Sequence, residues 1–209
     1  VFFYALPLLA MLAGSWSCLF ERLSGYDMQI CTRVSRKAYV NIKVLSAFLS
    51  AFTVTAIPLL VNFLIVSMLF PVVIFPRVDE STYCRAYLLL RYFSGLFYSH
   101  PLLYVLAYTL FDAVTLGTLS MAVTGFSILF RSRIKAIIVP YLLMVAWHFA
   151  NGWIFGVMAC VGFNCNIFNS IRSESLNNWP DIRAGFAEII LLTLASLAFS
   201  GAWKRREMV

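Results

Sequence analysis

The sequence predicts an all-α protein, a polytopic bundle of transmembrane helices with five spans. Three observations predict it. Apolar residues make up 62% of the chain and charged residues 12%, about half the charged share of a soluble domain. Mean hydropathy is +0.86. Long runs almost free of charge divide the chain into pieces of the length a bilayer requires, about 20 mostly apolar residues.

The first run, 2–19, is interrupted by Pro7 and the Gly14-Ser15 pair. No basic stretch precedes it, so it does not read as a signal peptide. The second, 45–69, contains Pro58, which is expected to kink it. It also carries Ala47-x-x-x-Ala51, small residues on one helix face that let a neighbour approach closely. The third run is 101–130. The fourth, 136–160, holds a similar pair, Gly152-x-x-x-Gly156. The fifth, 185–203, follows Trp179-Pro180-Asp181, a helix start signal.

Net charge is +7, which in a soluble protein would suggest nucleic acid. The distribution of the charges excludes that reading and assigns sides instead. Three places, 20–44, 131–135 and 204–209, hold eleven bases (Arg22, Arg33, Arg36, Lys37, Lys43, Arg131, Arg133, Lys135, Lys204, Arg205 and Arg206) against Glu21, Asp27 and Glu207. The places between them balance, with Arg77, Arg85, Arg91, Arg172 and Arg183 against Asp79, Glu80, Glu174, Asp181 and Glu188. Basic and balanced places alternate, as the positive-inside rule requires. Segments 20–44, 131–135 and 204–209 are therefore expected inside, and 70–100 and 161–184 outside. This leaves Val1 outside, so a sixth helix ahead of it is expected in the native protein.

The connections differ in character. Residues 83–99 mix Tyr83, Tyr87, Tyr92, Phe93, Phe97 and Tyr98 with Arg85 and Arg91, a composition suited to a helix lying in the headgroup region. Residues 162–183 are polar and long for a connector, which suggests a small outer cap. In 20–44, Leu23, Tyr26, Ile30, Val34 and Ala38 recur at helical spacing, opposite Asp27, Arg33, Arg36 and Lys37. Such a helix would rest on anionic lipid or dock a subunit on the inner side.

Several chemistries have no support in the sequence. The two histidines, His100 and His148, form no zinc motif, and no Cys-x-x-Cys occurs. A phosphate loop and a serine-hydrolase elbow are also missing, so no catalytic residue and no metal site is predicted. Two ionisable groups do fall inside runs. Asp112 lies about 16 Å along the third run, and His148 sits at similar depth in the fourth. Such groups face the bundle or a wet cavity and are functional candidates; an Asp112–His148 contact is one reading. The plain alternative is that each hydrogen-bonds a neighbouring helix, Asp112 through Thr109 or Thr115, and orients the bundle. Among five cysteines, Cys160 and Cys165 are a possible outer disulfide with Cys84 as competitor, or free thiols; Cys18 and Cys31 fall on the reducing side.

The run 21–43, E-R-L-S-G-Y-D-M-Q-I-C-T-R-V-S-R-K-A-Y-V-N-I-K, resembles the inner connection of bacterial ABC exporter permeases of the type-2 family. There an acid, a Ser-Gly pair, a Thr-Arg, a basic cluster, a Tyr and a Lys lead into the next span. His100-Pro101-Leu102-Leu103-Tyr104, followed by an apolar span ending at Arg131, resembles that family's region before its fourth helix. The resemblance implies a permease with no enzymatic activity of its own, in the bacterial cell membrane with its C-terminus cytoplasmic. It implies a coupling helix in 20–44, docked on an ABC ATPase subunit through Glu21, Gly25, Tyr26, Asp27, Arg33, Arg36, Lys37, Tyr39 and Lys43. ATP and Mg would sit on that partner, and this chain would hold no cofactor. A second copy or a sister permease would complete the pathway, whose wall would come from 45–69 and 136–160. Segment 161–183 would be an outer re-entrant cap. Two rival readings share the composition: a membrane-embedded enzyme using Asp112 and His148, and a non-transporting scaffold or sensor subunit.

Overall fold

A computed structural model describes residues 2–69, 93, 96, 100–130, 132–157, 166–171 and 182–205. These form seven α-helices and one 3₁₀ turn, with no strand among the described residues. They are α1 (Phe2–Leu23), α2 (Tyr26–Cys31), α3 (Arg36–Leu69), α4 (Pro101–Phe126), the 3₁₀ turn Ser127–Leu129, α5 (Arg133–Val157), α6 (Ile167–Ile171) and α7 (Ile182–Arg205). Five of them, α1, α3, α4, α5 and α7, are long and apolar enough to cross a membrane. Cys84, Cys160, Cys165 and nearly all of 83–99 lie outside the described residues.

Helix α4 is the axis. Over half of its apolar window, 56%, is buried, against 6% for α3. It packs most extensively on α3 and α7 and also on α1. Leu6, Ala10 and Met11 of α1 meet Ala51 of α3, Leu116, Leu119 and Val123 of α4, Ala136 and Ile137 of α5, and Ile171 of α6 in one apolar cluster. The surface around this core is lined by Leu, Ile, Val and Trp side chains, among them Ile57, Leu64, Met68, Leu142, Trp153, Leu191 and Leu197. That surface suits hydrocarbon rather than water.

Small residues set how close the helices come. A Cβ on Gly14 would collide with Ser120 Oγ and lie 2.7 Å from the Ala47 carbonyl oxygen. Ala47 and Ala51 are fully buried on the facing side of α3, so the predicted small-residue face is where α1 and α3 meet. On the far side of α4, a Cβ at Gly125 would come 2.8 Å from Phe199 Cβ of α7. Several hydroxyls inside this core return their bonds to their own helix, as with Thr115 to Phe111 O at 2.8 Å and Thr124 to Ser120 O at 2.8 Å. Such back-bonding removes the cost of a buried donor without a partner helix.

Several sequence expectations are corrected here. Residues 20–44 are not one amphipathic helix. Helix α1 continues to Leu23, and Gly25, with φ of 73°, turns the chain in the left-handed region that favours glycine. Two turns of α2 follow, and α3 starts at Arg36, nine residues before the apolar run does. The five residues of the expected apolar face are thus divided among α1, α2, a loop and α3, and Leu23, Tyr26 and Val34 are exposed. Glu188, counted with an outer connection, is 4% exposed inside α7.

The glycine contacts are testable. Gly14→Ala should lower stability by about 1–3 kcal/mol, the usual cost of overpacking, read as a drop in the melting midpoint of the purified protein in detergent. Gly201→Ala meets open space and should leave that midpoint unchanged. Equal behaviour of the two variants would refute the close approach at Gly14.

Candidate functional site

Two places gather the polar residues, one at each end of the core. The first is the end that carries the α1–α3 connection and the 3₁₀ turn. Arg22 Nη1 donates to Ser127 O at 2.9 Å, which ties the first predicted inner connection to the end of the third run. Tyr39 and Lys43, four positions apart on one face of α3, reach back to Glu21 near the end of α1. Lys43 Nζ pairs with Glu21 Oε1 at 2.5 Å, and the Tyr39 hydroxyl donates to Glu21 Oε2 at 3.0 Å. Lys43 also lies 5.9 Å from the centre of the Tyr39 ring. Beneath this clamp, Cys18, Tyr39, Val40 and Val44 form a second apolar cluster.

The other six residues predicted for docking are exposed or half-buried. Tyr26, Arg33 and Lys37 are exposed, Asp27 and Arg36 half-buried, and Gly25 sits in the exposed turn. Asp27 Oδ1 accepts the Met28 amide at 2.9 Å, at the first turn of α2. Phe20, Glu21, Ser24, Tyr26 and Gln29 line an open cleft of about 440 Å³. So of the nine residues predicted for docking, Glu21, Tyr39 and Lys43 join α1 to α3, while the others are presented beside them.

The second place is in the opposite half of the bundle. Asn166 caps the short helix α6: its Oδ1 accepts the Phe168 amide at 3.1 Å. That bond orients the side-chain amide, whose Nδ2 lies 2.8 Å from His148 Nδ1 of α5. The histidine is then the tautomer with hydrogen on Nε2, which lies 3.4 Å from the Tyr4 hydroxyl of α1. Phe168, 1% exposed, packs its ring against Tyr4 and His148 at 5.2 and 5.3 Å between centroids. Tyr141 of α5 donates to Tyr4 O at 3.1 Å. At the other end of α6, Ser170 donates to Glu188 Oε2 of α7 at 2.7 Å.

No protein-family model, curated protein or solved structure matches this chain. The function must therefore be argued from the geometry and from the chemistry of the residues.

Asp112 belongs to this second place by register. It lies on the face of α4 that carries Leu116, Leu119 and Val123 into the main cluster. The rings of Phe111 and Phe186 meet at 6.0 Å and those of Phe126 and Phe199 at 5.4 Å, so α4 and α7 run parallel. One residue past Phe111, Asp112 is level with Glu188. On the other side, Ser15 and Thr124 hydroxyls meet at 3.2 Å. Counting back along both helices from that bond, by about 16 Å, brings Tyr4 level with Asp112. Asp112 is 3% exposed, and its Oδ1 has no hydrogen-bond partner among the described residues.

The sequence reading singled out Asp112 and His148 at similar depth, and both do lie in this half. They are not bonded to each other, and both His148 nitrogens face other groups. Nor does Thr115 serve Asp112, since its hydroxyl is spent on Phe111 O. Tyr4, Asn166, Ser170 and Glu188 escaped the sequence reading. Only Glu188 had a signal, a carboxylate within the run 185–203. Among the described residues, no group of three or more His, Cys, Asp or Glu is arranged to hold a metal.

A double-mutant cycle tests the clamp. Glu21→Gln and Lys43→Met should each destabilise the protein, with a coupling of about 1–2 kcal/mol, above the range for open surface pairs because both side chains are largely covered. Tyr39→Phe should cost about 1 kcal/mol through its lost bond to a carboxylate. Strict additivity of the Glu21 and Lys43 variants in thermal melts would show that the pair does not hold α1 to α3.

Proposed function

We propose that the chain is the membrane permease subunit of an ATP-driven ABC-type exporter. ATP and Mg would be bound and hydrolysed on a separate ATPase subunit. The observation that carries this reading is the construction of the connection between α1 and α3. Charged and aromatic side chains of α2 and its flanks are presented outward, while Glu21, Lys43 and Tyr39 brace the base of the element against both long helices. A force applied to α2 would therefore reach α1 and α3 together. The resemblance of 21–43 to the inner connection of type-2 permeases assigns that force to the ATPase.

On this reading the basic end faces the cytoplasm of a bacterial cell, with the C-terminus on the same side, as the positive-inside rule favours. Helix α2 is the coupling helix and rests in a cleft of the ATPase. Closure of two ATPase subunits moves α2 as a rigid body and rocks α1 and α3, the general device of alternating access. A second copy or a sister chain completes the pathway. The buried helix α6 belongs to the re-entrant outer cap. Its peptide groups lie inside the bundle and are served by Asn166 and by helix bonds, as backbone at membrane depth must be.

Arg33→Glu and Lys37→Glu change exposed groups and should leave the melting midpoint near that of the parent. They should abolish co-purification of the ATPase partner, or reduce the stimulation of its hydrolysis by about tenfold, the loss of roughly one charge-assisted contact or more. Unchanged co-purification together with unchanged stimulated hydrolysis would end the coupling-helix assignment.

A further inference from the structure

Helix α6 is too short to hold its own place in the bundle. Its five residues make little more than one turn, and a helix of that length is not stable alone. Its position therefore depends on what its side chains and its cap bond. The Phe168 amide can only donate, which fixes Asn166 Oδ1 on it at 3.1 Å. Asn166 Nδ2, also a donor, is thereby turned on His148 Nδ1 at 2.8 Å. That nitrogen must be a bare acceptor. An imidazolium carries hydrogen on both nitrogens, so a proton on Nδ1 would face the hydrogens of the Asn166 amide. Turning the Asn166 side chain over would offer its oxygen to the imidazolium, but would set its nitrogen against the Phe168 amide and remove the cap. Neither orientation serves both neighbours of Asn166 once His148 is charged.

Helix α5 packs on α1, α4 and the 3₁₀ turn, and α6 packs on α1, α4 and α7. Tyr4 of α1 is the titratable group that reaches the half-buried imidazole, its hydroxyl 3.4 Å from Nε2. In this half α4 carries Tyr104, Tyr108 and Asp112, α7 carries Arg183 and Glu188, and the 3₁₀ turn carries no titratable group. Among the described residues, none of these bonds His148, whose partners are Asn166 and Tyr4. On α5 itself, the Tyr141 hydroxyl is spent on Tyr4 O.

We propose that the His148–Asn166 bond is a proton-operated latch on α6. It holds while His148 is neutral and opens when the imidazole takes a proton, so acid releases the start of α6. Release frees Phe168, which sits against the rings of Tyr4, Tyr141 and His148, while Ser170 keeps the far end on Glu188. The latch lies wholly within this chain; it becomes a control on export only through the permease reading.

Amide hydrogen exchange of the 166–171 segment, followed by mass spectrometry on the purified full chain in detergent, reads the opening. Each rate is divided by that of the same peptide free in solution, which cancels the intrinsic effect of pH. Protection in the parent should fall about tenfold or more from about pH 8 to about pH 5, the range in which histidine changes charge and the size expected when a buried donor loses its acceptor. His148→Asn offers an oxygen to Asn166 but takes up no proton, and its protection should not change with pH. Asn166→Asp keeps one oxygen for the Phe168 amide and turns another on His148, so acid should preserve or raise its protection. That variant retains the histidine and tests the latch even if His148→Asn packs poorly. Protection in the parent that is independent of pH, or the same acid loss in either variant, would overturn the latch. An acid-released α6 in a chain that recruits no ATPase would leave the latch standing without the permease reading, and the opposite pair of results would do the reverse.

Discussion

Helix α4 can occupy the centre of this bundle because α1 comes within backbone contact of α3 beside it. That approach is possible only where Gly14 faces Ala47 and Ser120. In hydrocarbon, apolar side chains gain little by leaving lipid for protein, so packing and small-residue contacts hold helices together. The α1–α3–α4 junction concentrates both. From it follow the burial of α4 on most sides and the single cluster that collects residues from α1, α3, α4, α5 and α6.

The two polar ends solve opposite problems. At the α2 end, charged groups are partly solvated, and Glu21 spends both oxygens joining α1 to α3 while arginines and lysines nearby stay accessible. In the other half, polar groups are enclosed, and several are joined in pairs: Asn166 with His148 and with its own helix, Ser170 with Glu188. One end thus presents charged groups at its surface, and the other holds a polar layer inside an apolar body.

Much of the fold was legible in the sequence, and the reasons are local. A run of about 20 apolar residues has few stable alternatives to a helix in a membrane, because every backbone group must find its partner within the segment. All five runs are helices long and apolar enough to cross one. Their ends were less legible. Helix α3 extends back to Arg36 through Lys43, Lys37 and Tyr39, since helix propensity does not stop where hydropathy does, and a lysine stem can lie along the bundle with its head on Glu21. The single amphipathic helix expected over 20–44 failed at Gly25, where the left-handed turn divides it.

The sequence by itself determined that the chain is helical, which segments are apolar enough to span a membrane, and that Asp112 and His148 lie deep within two of them. Composition and spacing suffice for that, because hydropathy and helical rise are properties of neighbours along the chain. Only the tertiary structure decided that His148 bonds Asn166 rather than Asp112, that Glu188 is buried against Ser170, and that Glu21 clamps Lys43 and Tyr39. Those pairings join residues from 18 to 22 positions apart, and they depend on how helices rotate about their axes when small residues let them touch. No pattern read along one helix contains that rotation.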